Sequence, residues 1–333
     1  MIDAETPVGN PADFVGQAGI VRRVFSRIGA ERPQSVAVIG GMKSGKTSLL
    51  AYLSDQGVAS QHLEAVDKFV FLSLRANREM TDDPDSFLGS LSKRLAPGAA
   101  GGSNRYETIR KGIEDLHAGG KRVIVFLDDF HFITSNDRFP LEFFSFLRSM
   151  ANNYNLAYVT TSLLELQKLC VAKDVQESPF FNIFTNMHLG MLSREDATAL
   201  FVRVTGTGEA PAGRVAAWCG GSPYLLKKAG ARLAQGKSSD RLSDADLEKM
   251  LLPEVTPYFE EVVSLLPPEA FKPLQAVMRG KAPSQSDEHQ LSSLVKQGFL
   301  VEGEGGEGIS SFSPAFALFL RKSLSQRMLK GSG

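Results

Sequence analysis

From Ser35 to about Leu192, short apolar runs alternate with longer stretches in which apolar residues recur at helical spacing. "SVAVIG" (Ser35–Gly40), "KFVFLSL" (Lys68–Leu74), "RVIVFLDD" (Arg122–Asp129), "LAYVTTS" (Leu156–Ser162) and "NMHLGML" (Asn186–Leu192) read as strands. Four of the five are too continuously apolar to leave a face in water, as expected of parallel strands covered by helices on both sides. The segments between them carry helix punctuation. "DDPDSFLGSLSKRL" opens on acidic residues with Pro84 in its first turn and closes on a basic turn, which complements the helix dipole. "NRYETIRKGIEDLHAGG" starts at a capping Asn104 and ends on a glycine pair, and the "PGAAGGSN" before it reads as a loop. This alternation predicts an α/β domain on a parallel five-stranded sheet, covering residues 1–192.

Beyond Leu192 the pattern turns helical. Ser193 caps "SREDATALFVRVTG" with an acid in the first turn, and no strand pattern follows until late in the chain. Prolines in "LLPEVTPYF" and "LLPPEAFKPL" mark a break near Pro253, so residues 193–252 read as a helical lid. In residues 253–330 a helix ended by Gly298, a strand, a Gly/Glu turn, a second strand and a last helix follow in the order of a winged helix. No repeat of fixed period is present.

Composition narrows the function classes. The chain has 333 residues and is 43% hydrophobic and 22% charged, an ordinary globular mixture. Its 37 basic residues balance 37 acidic ones, so no global field draws it to nucleic acid or to an acidic membrane. The two cysteines, Cys170 and Cys219, lack zinc-site spacing and suit a reducing compartment. With neither a signal-peptide pattern nor a bilayer-length apolar run, the expectation is a cytoplasmic protein without membrane contact.

The chemistry is carried first by "GGMKSGKT", Gly40 to Thr47, which fits a glycine, four residues, then Gly-Lys-Ser/Thr, between an apolar strand and a helix. Main-chain N–H groups along Gly40, Gly41, Met42, Lys43, Ser44, Gly45, Lys46, Thr47 and Ser48 can close around phosphate oxygens at a helix N-terminus. Lys46 reaches the β and γ phosphates, and Thr47 offers a hydroxyl to magnesium. The second half is "VIVFLDDF": Asp128, at a strand end, holds Mg2+ and Asp129 orients the attacking water. Aspartate is one methylene shorter than glutamate, which sets the carboxylate back and predicts slow turnover.

These motifs resemble the STAND branch of the AAA+ ATPases and their archaeal-ATPase relatives. "DFVGQAGIVRRVF" is similar to the family's N-terminal box, which in relatives lies against adenine and here includes Val15 and Gly16. "FLRSMANNYNLAYVTTS" resembles the helix and fourth strand that carry an arginine and a γ-phosphate sensor, which implies Arg148 and either Thr161 or Ser162. "CGGSPYLLKKAG" is similar to the Gly-x-Pro element of the lid and implies Pro223 near the base. Many relatives follow the fourth strand with an arginine, whereas "TTSLLEL" has none, so Arg138, Arg148 and Arg194 are the candidates for action in trans. The resemblance implies an ATP/ADP switch, acting through homo-oligomerisation or a protein effector, as in bacterial signalling or antiviral defence.

Other features read more plainly. His131 in "DDFHFI" is a structural histidine by default, with contact to the site as the alternative. The Phe-rich "RFPLEFFSFL" reads as a helix covering the sheet, and Trp218 as lid core. From Pro253 to Gly333 there are eight Lys/Arg and nine Asp/Glu, and the expected wing tip is "EGEGGEG", so DNA is possible but not favoured. A DNA-loaded AAA+ protein of the origin-recognition or transposition-regulator type, and a non-hydrolysing scaffold with bound nucleotide, are the competing readings.

Overall fold

The computed structural model describes residues 4–76, 80–95, 104–233, 243–280, 284–302 and 308–330. The loop read at 97–103 and the acidic turn at 303–307 lie outside the described residues. The chain divides into two compact units: one of Val8–Gly40 and Lys46–Leu189, the other of Met1–Pro7, Gly41–Gly45 and Gly190–Gly333.

The first unit is a parallel sheet of β1 (Ser35–Ile39), β2 (Phe69–Arg75), β3 (Arg122–Asp128), β4 (Leu156–Ser162) and β5 (Phe184–His188), in the order β2-β3-β4-β1-β5. β1, which feeds the phosphate loop, is interior, with β4 rather than β1 at the middle. Every residue of β1 and β4 is buried, as their continuous apolar runs require.

The fifth strand sits upstream of the expected Asn186–Leu192. Phe184 to His188 pair with Ser35 to Ile39, Leu189 N–H adds one bond to Ile39 O, and the chain then leaves the sheet. As an edge strand, β5 buries only Met187 fully, so its apolar pattern is diluted and the later "LGML" run outscores it.

Alternate side chains feed two cores. Val36, Val38, Ile124, Phe126 and Val159 pack with α1 (Ala18–Ile28) and α2 (Lys46–Leu53). Ala37, Leu72, Val125, Leu127 and Tyr158 pack on the other side with α3 (Pro84–Leu95), α4 (Arg105–Ala118) and α5 (Leu141–Asn153). The Phe-rich stretch lies in this second core, where Phe143 and Phe144 are fully buried and contact each other edge to face at 5.2 Å. Asn104 caps α4 through Glu107 N–H, as its sequence anticipates.

In the second unit, α6 (Arg194–Thr205) starts at Ser193, whose hydroxyl accepts Asp196 N–H, and α7 (Glu209–Cys219) buries Trp218. The pair Gly220 and Gly221 then turns the chain with φ of +62° and +74°. A Cβ would lie 1.8 Å from Phe312 O at the first and 2.3 Å from Leu192 O at the second, so both conformation and space demand glycine. Helix α8 (Pro223–Leu233) follows with Pro223 as its first residue, where a missing N–H costs nothing.

The break expected at Pro253 does not occur: α9 runs from Asp244 to Ser264 through both Pro253 and Pro257. Both prolines are exposed, while Leu247, Leu251, Val255, Tyr258, Phe259 and Val262 are buried, so packing of the apolar stripe outweighs the two lost main-chain bonds. Then come α10 (Phe271–Met278), α11 (Glu288–Lys296), an antiparallel hairpin of β6 (Leu300–Glu302) and β7 (Ile309–Ser311), and α12 (Pro314–Lys330). Phe259 of α9 meets Phe316 and Phe319 of α12 at 5.2 and 5.4 Å between ring centres.

Candidate nucleotide site

The loop between β1 and α2 has the backbone of an anion cradle. Lys43 and Gly45 both adopt left-handed conformations, with φ of +55° and +98°, which turns successive N–H groups toward one side. Helix α2 begins at Lys46, so the N–H groups of Lys46, Thr47 and Ser48 lack partners within the helix. Ser44 Oγ is buried without a hydrogen-bond partner, an orphan that a phosphate oxygen would satisfy. Ser48 Oγ accepts Val8 N–H at 3.0 Å.

Lys46 is buried and donates to Gly40 O at 2.9 Å. Burial pulls its ammonium down to about 8, against the opposing pull of the Asp129 and Asp128 carboxylates. A buried cation beside main-chain N–H donors at a helix start is suited to pairing with a phosphate oxygen.

β3 delivers the carboxylate pair. Asp128 ends the strand, buried, and accepts the Thr161 hydroxyl at 2.6 Å. That hydroxyl in turn accepts Asp129 N–H at 2.8 Å, so a single side chain at the end of β4 fixes both aspartates. Asp129 turns away from the strand with φ +55°, a conformation that aspartate tolerates better than most residues. Burial first, then the Asp128 charge, hold its carboxyl above the usual range.

Arg75, the last residue of β2, belongs to no sequence motif. Its Nε lies 3.6 Å from Asp128 Oδ2 and 3.8 Å from Asp129 Oδ2. The register Arg75↔Asp128 puts it there, and strand pairing is the one signal that could have found it. His131, buried two positions past Asp129, is depressed to about 4 by burial and by Lys46, so the imidazole is neutral, and its Nδ1 has no hydrogen-bond partner. The structure thus draws Lys46, Asp128, Asp129, Thr161, His131 and Arg75 into one electrostatic cluster.

Asp128 Oδ2 is buried without a hydrogen bond, which fits a carboxylate awaiting a hydrated cation. Among the described residues no group of three or more His, Cys, Asp or Glu could hold a metal ion.

The remaining expected residues fall elsewhere. Gly16 (φ +77°) follows Val15 just before α1, and the neighbouring Phe14 stacks on Tyr52 of α2 at 4.4 Å. Pro223 lies in the second unit with Gly45, whose Cβ position is 3.8 Å from its ring. Arg148 sits on α5 with a buried Nε lacking a hydrogen-bond partner. Ser162 donates to Leu164 O.

A phosphate cradle and buried lysine after an interior parallel strand, with a carboxylate at the end of another, define a P-loop NTPase. The family model of novel STAND NTPase 2 matches residues 30–245, well over half of the chain. The chain belongs to that family. No curated protein matches it. Among solved structures, a Walker-type ATPase of Pyrococcus abyssi aligns over 95% of this chain and 99% of its own at 14% identity and TM-score 0.64. The ORC2 protein of Aeropyrum pernix, in ADPNP-ADP complexes, aligns over 95% and 97% at 12% identity and TM-score 0.56. The Drosophila ORC bound to DNA aligns over 97% and 89% at 12% identity and TM-score 0.53. At these identities the likeness is one of fold, the α/β sheet of AAA+ ATPases followed by helical elements. No helix among the described residues is long and apolar enough to cross a membrane.

Proposed function

We propose that the chain is an ATP-operated switch that hydrolyses its nucleotide slowly and uses nucleotide state to control its own assembly or the activation of a protein partner, in bacterial signalling or defence. The observation that carries this reading is the tethering of Asp129: its N–H is held by Thr161 and its carboxylate lies near Arg75. A short carboxylate on an anchored main chain, with a cation beside it, orients water poorly, so ATP persists long enough to act as a signal.

Thr47 and Asp128 are the residues to hold magnesium, which when bound neutralises phosphate charge. Lys46 stabilises the γ-phosphate oxygens during in-line attack, and Asp129 orients the water. A protein partner is favoured over duplex DNA because the last eighty-one residues, Pro253 to Gly333, carry eight Lys/Arg against nine Asp/Glu. The ORC relative bound to DNA shares the fold and is no guide to this surface.

The test is single-turnover phosphate release alongside nucleotide binding. Asp129→Asn is expected to lower release about 10- to 100-fold with binding retained, and Lys46→Ala to abolish binding. Release unchanged by Asp129→Asn would instead support the scaffold that keeps nucleotide unhydrolysed.

A further inference from the structure

Lys43 is the one non-glycine residue of the phosphate loop that holds the left-handed conformation the cradle requires. A lysine at φ +55° occupies a backbone region where glycine is at ease and other L-residues are not. Its side chain shows what holds it there. The ammonium lies 2.7 Å from Glu5 Oε2, 4.2 Å above the ring of Tyr224 and 5.7 Å from that of Tyr258. Tyr258 of α9 donates its hydroxyl to Met42 O at 3.0 Å, so the same helix also grips the loop backbone.

Glu5 joins these parts. It accepts the Tyr224 hydroxyl at 3.0 Å and pairs with Lys228 of α8 at 3.3 Å, while Lys227 donates to Thr6 O at 2.9 Å. A lone exposed ion pair holds little. Here one carboxylate takes two ammonium groups and a phenol, and the Lys43 cation is also partly desolvated against aromatic faces. Met42 and Lys43, the gripped residues, lie in the middle of the loop between β1 and α2, so what fixes Lys43 fixes the loop backbone at that point.

We propose that Lys43 is a positioning residue: Glu5, Tyr224 and Tyr258 hold it left-handed, this preforms the phosphate cradle, and the same contacts carry nucleotide occupancy to α8 and α9. The inference rests on the P-loop switch reading and names the contacts through which it would act. By reciprocity, a clamp that strengthens nucleotide binding is itself tightened by nucleotide.

The test uses the full chain with a fluorescent mant-ADP titration, steady-state ATPase assays and hydrogen exchange. Lys43→Gly keeps the left-handed backbone and removes only the tether, and Glu5→Gln removes the anchor from outside the loop. Each is expected to weaken mant-ADP about five- to tenfold and to raise KM with kcat unchanged. Lys43→Arg, which retains a cation for the rings and for Glu5, should restore both. Nucleotide should slow exchange of the Pro223–Leu233 amides in the wild type and not in Lys43→Gly. If Lys43 touches nucleotide directly instead, Glu5→Gln frees it and tightens binding, and that result overturns the proposal. Wild-type affinity in both folded variants overturns it as well. Wild-type protein that binds no mant-ADP overturns the switch reading together with this one.

Discussion

Asp128 and Asp129 leave β3 with the Arg75 guanidinium 3.6 and 3.8 Å away, a cation standing beside the carboxylate expected to hold magnesium. Like charges compete, so Arg75→Ala is expected to lower the magnesium concentration at which mant-nucleotide binding is half-maximal by about two- to fivefold. An unchanged or higher requirement would mean that the guanidinium does not oppose the metal. The aspartates themselves were legible because five apolar residues, Val123 to Leu127, run into them at a strand end. Arg75 was not, since its relevance comes from a neighbouring strand's register. The resemblance implies Thr161 or Ser162 as γ-phosphate sensor; the Thr161 hydroxyl is engaged with both aspartates and that of Ser162 with Leu164 O. His131 reads as ordinary from sequence because burial beside Lys46, rather than any spacing, is what sets its state.

At the scale of elements, α9 shows packing overruling local propensity. Pro253 and Pro257 each remove a helical N–H, and both face solvent while the opposite stripe is buried. Pro253→Ala restores one bond, and thermal unfolding should show stabilisation of about 1–3 kcal/mol; a lower Tm would mean that proline's restriction of the unfolded chain dominates. The segment before β1 makes a pH-dependent contribution. The hydrogen bond from Lys43 holds the Glu5 carboxyl below its ordinary 4.5. A depressed acid stabilises the fold above its unfolded pKa and loses that effect as pH falls through the folded one. Wild type should therefore exceed Glu5→Gln in stability at neutral pH, by no more than about 1 kcal/mol for so exposed a carboxylate, and the gap should close below pH 4.5. A gap that persists at pH 3 would show that the charge is not its cause. Strand interiors and helix caps were legible because each is a local pattern. The edge strand β5 and the helix through Pro253 were not, because partners distant in sequence determine them.

At the scale of the whole molecule, the family match ends at residue 245, while the fold likeness to the Walker-type ATPase runs over 95% of the chain. The phosphate-loop residues Gly41–Gly45 cluster with Gly190–Gly333 rather than with the sheet that carries the carboxylates. That division is invisible to composition and to periodicity, because it depends on which distant segments the fold brings beside the loop. The loop is attached to α8 and α9 through Lys43 and Met42, the contacts on which the proposed switch would act. The most direct measurement is size-exclusion chromatography with light scattering on one preparation in ADP, ATP and a non-hydrolysable ATP analogue. A mass that differs between ADP and the analogue, with ATP drifting toward the ADP value over time, is the predicted result. An identical mass in all three states, with or without an added partner, would contradict nucleotide-gated assembly.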